Sequence, residues 1–134
     1  MDQQKAKILI IDDEPTSLET LCVILESGAE LTVATTAEHA YEKINETSFD
    51  LILLDVELPD TSGFQVCRTL KERKETSHIP ILFLTGFDGM VFESQAFDAG
   101  AVDYITKPAS PYRVIMRVNA HLNANQRIKL SRPA

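Results

Sequence analysis

The sequence predicts an α/β fold, a (βα)5 chain whose parallel five-stranded sheet carries helices on both faces, and three observations predict it. Five short apolar runs recur along the 134 residues, at 8–11, 31–34, 51–56, 79–84 and 102–105. Each is apolar almost throughout instead of alternating, as strands covered on both faces are. Stretches with helical periodicity separate them, and strands alternating with helices build the crossover units of a parallel sheet.

Taken in order, each element carries its own punctuation. Pro15 suits the opening turn of the first helix, Leu18, Leu21, Cys22 and Leu25 follow at helical spacing, and Gly28 stops it. Thr36 is the N-cap of the second helix, whose core face is Ala37, Ala40, Tyr41 and Ile44 and whose end falls near residues 46–48. Ser62 and Gly63 open the third, with Phe64, Val66, Cys67 and Leu70 as its apolar side and Lys71, Arg73 and Lys74 suiting its dipole at the far end. Asp88 opens the fourth, which carries Met90, Val91, Phe92 and Phe97 and closes at Gly100. Ser110 and Pro111 start the fifth, with Ile115, Val118 and Leu122 on one face. Residues 123–134 are expected to prolong the last helix, or to serve as a linker or a ragged tail.

Composition narrows the function classes. One domain's worth of chain with 44% apolar and 25% charged residues is ordinary for a globular protein. A formal net charge of -7 opposes direct binding to nucleic acid or to an anionic membrane. Cys22 and Cys67 lack a second Cys or His at metal-ligand spacing, so buried reduced thiols are expected, which suits a cytoplasmic location. The polar start and the absence of a long apolar stretch exclude an evident signal peptide or membrane span.

In an open parallel α/β sheet, ligands bind beyond the carboxyl ends of the strands. The first run stops at Asp12, Asp13 and Glu14; the third carries Asp55; the fourth stops at Thr85 and Gly86; the fifth is followed by Thr106, Lys107 and Pro108. The second ends only in Thr35 and Thr36, which suits an edge strand. Asp12, Asp13 and Asp55 brought together would repel unless a cation lay between them. Hard oxygen donors without His or Cys favour magnesium, or manganese, over zinc. Beside such a cation Asp55 can attack phosphorus, with Lys107 sharing the developing charge and Thr85 donating its hydroxyl. Each residue also has a plainer reading: a helix-capping acidic pair, a solvated strand-end carboxylate, a surface lysine, a β-favouring threonine. Four reactive groups at four strand ends favour the joint reading.

Four motifs, Ile-Leu-Ile-Ile-Asp-Asp-Glu-Pro at 8–15, Asp-Leu-Ile-Leu-Leu-Asp-Val-Glu-Leu-Pro-Asp-Thr-Ser-Gly-Phe at 50–64, Ile-Pro-Ile-Leu-Phe-Leu-Thr-Gly at 79–86 and Gly-Ala-Val-Asp-Tyr-Ile-Thr-Lys-Pro at 100–108, resemble in this order the response regulator receiver domain of two-component signalling. The resemblance assigns residues 1–122 to that domain. It implies a flavodoxin-like, doubly wound three-layer sandwich with strand order 2-1-3-4-5. Asp55 is then the phosphoacceptor; Asp13 and Asp55 bind Mg2+ directly, Asp12 through water, and Glu57 through its backbone carbonyl. Thr85 and Lys107 contact the phosphoryl group, Tyr104 is the switch aromatic that turns inward with Thr85, and Lys107–Pro108 is a cis peptide. Glu57 and Phe87 flank the path of the hydrolytic water, and bulk at Phe87 predicts slow autodephosphorylation.

The implied partners are a sensor histidine kinase or a histidine phosphotransfer protein. Phosphorylation is expected to alter the surface of the fourth helix, fifth strand and fifth helix, which would serve homodimerisation or docking to an output domain beyond this segment. The implied role is a signalling phosphoacceptor without turnover of an external substrate. The rivals are a receiver-like binding module independent of phosphorylation, an Asp-nucleophile phosphatase and a flavin-binding domain. The first would be marked by loss of an acidic residue or the lysine, and none is lost; the second places its nucleophile on the first strand; the third needs a Ser/Thr/Gly-rich phosphate loop after that strand.

Overall fold

The structure, a computed structural model, describes residues 4–86 and 90–129, the side chains of Met90 and Val91 excepted. Phe87 and Asp88, expected to flank the water path and to open the fourth helix, lie outside the described residues. The strands are β1 (Ala6–Ile11), β2 (Ala29–Ala34), β3 (Leu51–Asp55), β4 (Ile81–Thr85) and β5 (Asp103–Thr106). They pair in parallel as a single sheet in the order β2-β1-β3-β4-β5. The helices are α1 (Pro15–Leu25), α2 (Ala37–Glu46), α3 (Gly63–Glu72), α4 (Met90–Asp98) and α5 (Pro111–Ala120).

Burial follows the position of each strand. β3 and β4 are buried almost from end to end, whereas β2, at the edge, is half-buried along its middle. Successive residues of a strand face opposite sides of the sheet, which divides the core in two. Leu9, Ile11, Ile52, Leu54 and Phe83 face α2, α3 and α4, where Ala40, Val66, Cys67, Leu70 and Phe92 meet them. Ile8, Ile10, Leu51, Leu53, Leu82 and Leu84 face α1 and α5, where Leu21, Leu25, Val114 and Val118 meet them. The strand ends shift by a residue or two from the apolar runs: β4 starts after Pro80, which has no N–H for the ladder, and β2 starts earlier because Ala29 and Glu30 pair with Ala6 and Lys7. Both cysteines are free thiols; burial pushes the pKa of Cys67 up to about 11 and that of the half-buried Cys22 upward. Among the described residues no helix is long and apolar enough to cross a membrane.

The expectation that residues 123–134 prolong the last helix is corrected for their described part. α5 ends at Ala120, residues Ala124–Gln126 make a 3-10 turn, and the chain folds back so that Ile128 is buried in the α1/α5 core. The carboxamide of Asn119 holds it there, donating to the Ile128 carbonyl and accepting from the Ile128 N–H, each at 2.7 Å. Burying an isoleucine with its backbone groups paired outweighs another exposed helical turn. Gly28 receives it: a Cβ at Gly28 would lie 2.6 Å from the Ile128 side chain.

Candidate functional site

The strand order sets β1, β3, β4 and β5 side by side, so their carboxyl ends open into one cleft of about 750 Å³. Asp13, Asp55, Glu57, Thr85, Lys107 and Pro108 all line it. Asp12 is fully buried and within reach of the same lysine. Tyr104 does not line the cleft; its hydroxyl donates to Glu93 on α4 at 2.6 Å, and its ring meets Phe92 edge-on with centroids 5.4 Å apart. The Lys107–Pro108 peptide is cis.

Electrostatics at the cleft are set by crowded carboxylates around one ammonium. Lys107 Nζ lies 2.9 Å from Asp55 Oδ2 and 3.1 Å from both Asp12 Oδ2 and Glu14 Oε1. Burial disfavours its charge, but the bonds to Asp55, Asp12 and Glu14 outweigh burial and hold its pKa above the usual lysine value. Burial, then the neighbouring Asp12, push Asp55 up to about 6. Burial also opposes ionisation of Asp12, yet hydrogen bonds from Ser17 and its other neighbours hold its pKa below the ordinary value. One member of the pair is thus kept charged at the other's expense. Asp12, Asp13 and Asp55 each offer an oxygen, all within 4.8 Å of one another. Three hard donors at this spacing, with an acceptor destabilised by its own neighbours, fit a divalent cation of the magnesium type.

The loop after β3 is built to present Asp55 and Glu57. The Gly63 N–H donates to the Val56 carbonyl at 2.6 Å, and a Cβ at Gly63 would overlap the Asp55 carbonyl oxygen, so the α3 start can approach this closely only as glycine. Glu57 pairs with Ser62 across the loop, and its N–H donates to Asp55 Oδ1 at 3.1 Å. Asp60 reaches α2, accepting from Ala37 N at 3.0 Å and Glu38 N at 3.1 Å, beside the Thr36 cap on His39 N.

Sequence reasoning left several of these residues without a role. Glu14 was noted only as part of an acidic run, and Ser17, which donates to Asp12 Oδ2 at 2.5 Å, had no local signal beyond a hydroxyl in the first turn of α1. Asp60 and Glu93 act across the fold, where no spacing along the chain points to their partners.

The family model described as response regulator receiver domain matches residues 8–119, and the chain belongs to that family. It is 41% identical over 124 residues to the transcriptional regulatory protein ResD of Bacillus subtilis, covering 91% of this chain and 50% of ResD. It is 36% identical over 128 residues to a Vibrio cholerae protein named "Probable cyclic di-GMP phosphodiesterase", covering 96% of this chain and 29% of that protein. This chain thus spans half or less of the length of these two curated relatives. Among solved structures, the chemotaxis protein CheY4 of Vibrio cholerae superposes with a TM-score of 0.84 at 25% identity, covering 89% of this chain and 100% of that one. The chain is a receiver domain of the response regulator type, and its Asp12, Asp13 and Asp55 cluster fits a phosphoacceptor site.

Proposed function

We propose that this chain accepts a phosphoryl group on Asp55 from a phosphohistidine of a sensor kinase or phosphotransfer protein. The observation that carries the reading is the convergence of Asp12, Asp13 and Asp55 on Lys107 at the mouth of one cleft. An Asp55 carboxylate oxygen forms the new P–O bond as the P–N bond of the donor breaks, and the departing imidazole nitrogen keeps the electron pair and takes up a proton. Asp13, Asp55 and the Glu57 carbonyl would hold Mg2+, with Asp12 behind a water, and the ion supplies charge neutralisation at the phosphoryl oxygens. Lys107, here paired with three carboxylates, is the cation available to the transferred group. Thr85, buried at the end of β4 and lining the cleft, is the hydroxyl beside it. No external substrate turns over; the domain assists its own phosphorylation and slow dephosphorylation.

The readout assigned to this site is the α4-β5-α5 surface, with Tyr104 as its moving aromatic. Phe97 on α4, Val102 before β5, and Tyr112 and Met116 on α5 are large apolar side chains exposed there, while Phe92 belongs to the core. That surface is suited to a second copy of the chain or to an output domain. The named relatives differ in output, one a transcriptional regulatory protein and one named as a phosphodiesterase, so the surface commands whichever module accompanies it.

Incubation with acetyl phosphate and MgCl2, followed by intact mass measurement, tests the acceptor. The wild type is expected to gain the mass of one phosphoryl group and Asp55→Asn none. No gain in the wild type, or an equal gain in the variant, would sink the proposal.

A further inference from the structure

We infer that Ser17 is a positioning residue of the acidic site: its hydroxyl fixes the buried carboxylate of Asp12 in the orientation in which Asp12 meets the hydration shell of the bound cation. The inference rests on the magnesium reading above.

Asp12 is fully buried, so its orientation is set by protein donors alone. Oδ1 accepts from the Glu14 N–H at 3.0 Å, and Oδ2 accepts from Ser17 Oγ at 2.5 Å while lying 3.1 Å from Lys107 Nζ. A hydroxyl this close to an ionised carboxylate belongs to the short, charge-assisted class of hydrogen bond. The two donors on Oδ2 differ in permanence. Lys107 is a long side chain shared among Asp12, Glu14 and Asp55, and an arriving phosphoryl group competes for it. Ser17 has a short side chain on the first turn of α1, held to the sheet by Leu21 and Leu25. Once Lys107 turns to phosphate, Ser17 is the donor that keeps Oδ2 in place.

The helix itself does not use this hydroxyl. Glu14 occupies the N-cap of α1 with no side-chain cap bond. A hydroxyl within a helix commonly bonds back to the carbonyl of the preceding turn, as Thr20 does to Thr16 at 2.9 Å; Ser17 instead reaches out of the helix to Asp12. It also lines the cleft beside Asp13 and Glu14, at the boundary between the buried carboxylate and solvent. Without it Asp12 Oδ2 depends on Lys107, which is shared with Asp55 and Glu14, and the carboxylate is no longer held in one orientation. Outer-layer groups that orient metal-binding side chains act in this way.

The test is calorimetric titration of the full chain with MgCl2, for the wild type, Ser17→Ala and Ser17→Thr, with melting temperatures taken in EDTA. Ser17→Ala is expected to bind magnesium about tenfold more weakly at a temperature where both chains are folded, with a lower metal-free melting temperature from the bond lost to the buried Asp12, and Ser17→Thr, which keeps the hydroxyl, to restore the affinity. Equal affinity in Ser17→Ala overturns the inference, as does an equal loss in Ser17→Thr or a loss of affinity that appears only where the metal-free variant is partly unfolded. A wild-type chain that takes up no magnesium overturns the metal reading itself, and the role of Ser17 falls with it.

Discussion

Asp55 is destabilised by the surroundings that equip it. It is largely buried, it faces the ionised Asp12, and one lysine serves both. Its pKa in the folded, metal-free chain is raised from the ordinary 3.8 to about 6, so the folded state holds a proton that the unfolded state gives up between those values. The stabilising contribution of this proton is complete below the ordinary value and is lost as the pH rises through about 6. Asp55→Asn, which stays neutral, lacks that loss. In EDTA, its stability is expected to gain on the wild type's as the pH rises from the ordinary value through about 6, by on the order of 1–2 kcal/mol at neutral pH once solvent screening of the partly exposed carboxylate is discounted. Thermal melts across the pH range check this, and a pH-independent difference would refute it. A cation that neutralises the cluster should erase the difference, which links the acceptor's strain to its ligand.

Elements meet at this site through loops that sequence patterns mark only in part. Thr36 and Ser62 were legible as caps, because a hydroxyl just before a periodic stretch has one local use, and both accept the N–H expected of them. Asp60 was not legible as a cap, since its partners Ala37 and Glu38 lie on another helix. Its carboxylate ties the loop that presents Glu57 to the start of α2, and these N–H donors hold its pKa below the ordinary value. Asp60→Ala should lower stability by about 1 kcal/mol and speed hydrogen exchange at the Ala37 and Glu38 amides. Unchanged exchange at both amides would contradict the tie.

At the scale of the whole molecule, the segment after α5 is part of the fold as far as Ile128. Asn119 on α5 clasps the Ile128 backbone, and Ile128 covers Gly28 at the turn between α1 and β2. Asn119→Ala removes both hydrogen bonds and should cost about 2 kcal/mol at roughly 1 kcal/mol for each. Because the contact is local, Ile128 amide exchange should rise well before the β3 and β4 amides respond. Exchange at Ile128 that stays protected would show that apolar burial alone holds the segment.

The sequence by itself determined the five strands, the helices between them and the reactive groups at four of the five strand ends. These follow from the period of apolar residues and from short-range punctuation, which the chain carries locally. Only the tertiary structure decided which ends touch. Lys107 and Asp55, 52 positions apart in sequence, are joined by a 2.9 Å contact because the sheet sets β3, β4 and β5 side by side. The same folding buries Asp12 beneath Ser17, turns the Tyr104 hydroxyl to Glu93 and returns Ile128 to Gly28. A hydrogen bond needs atoms within about 3 Å, whatever their separation along the chain. Periodicity sets how each segment coils, whereas contacts across the chain are settled when the apolar faces of those segments are buried together.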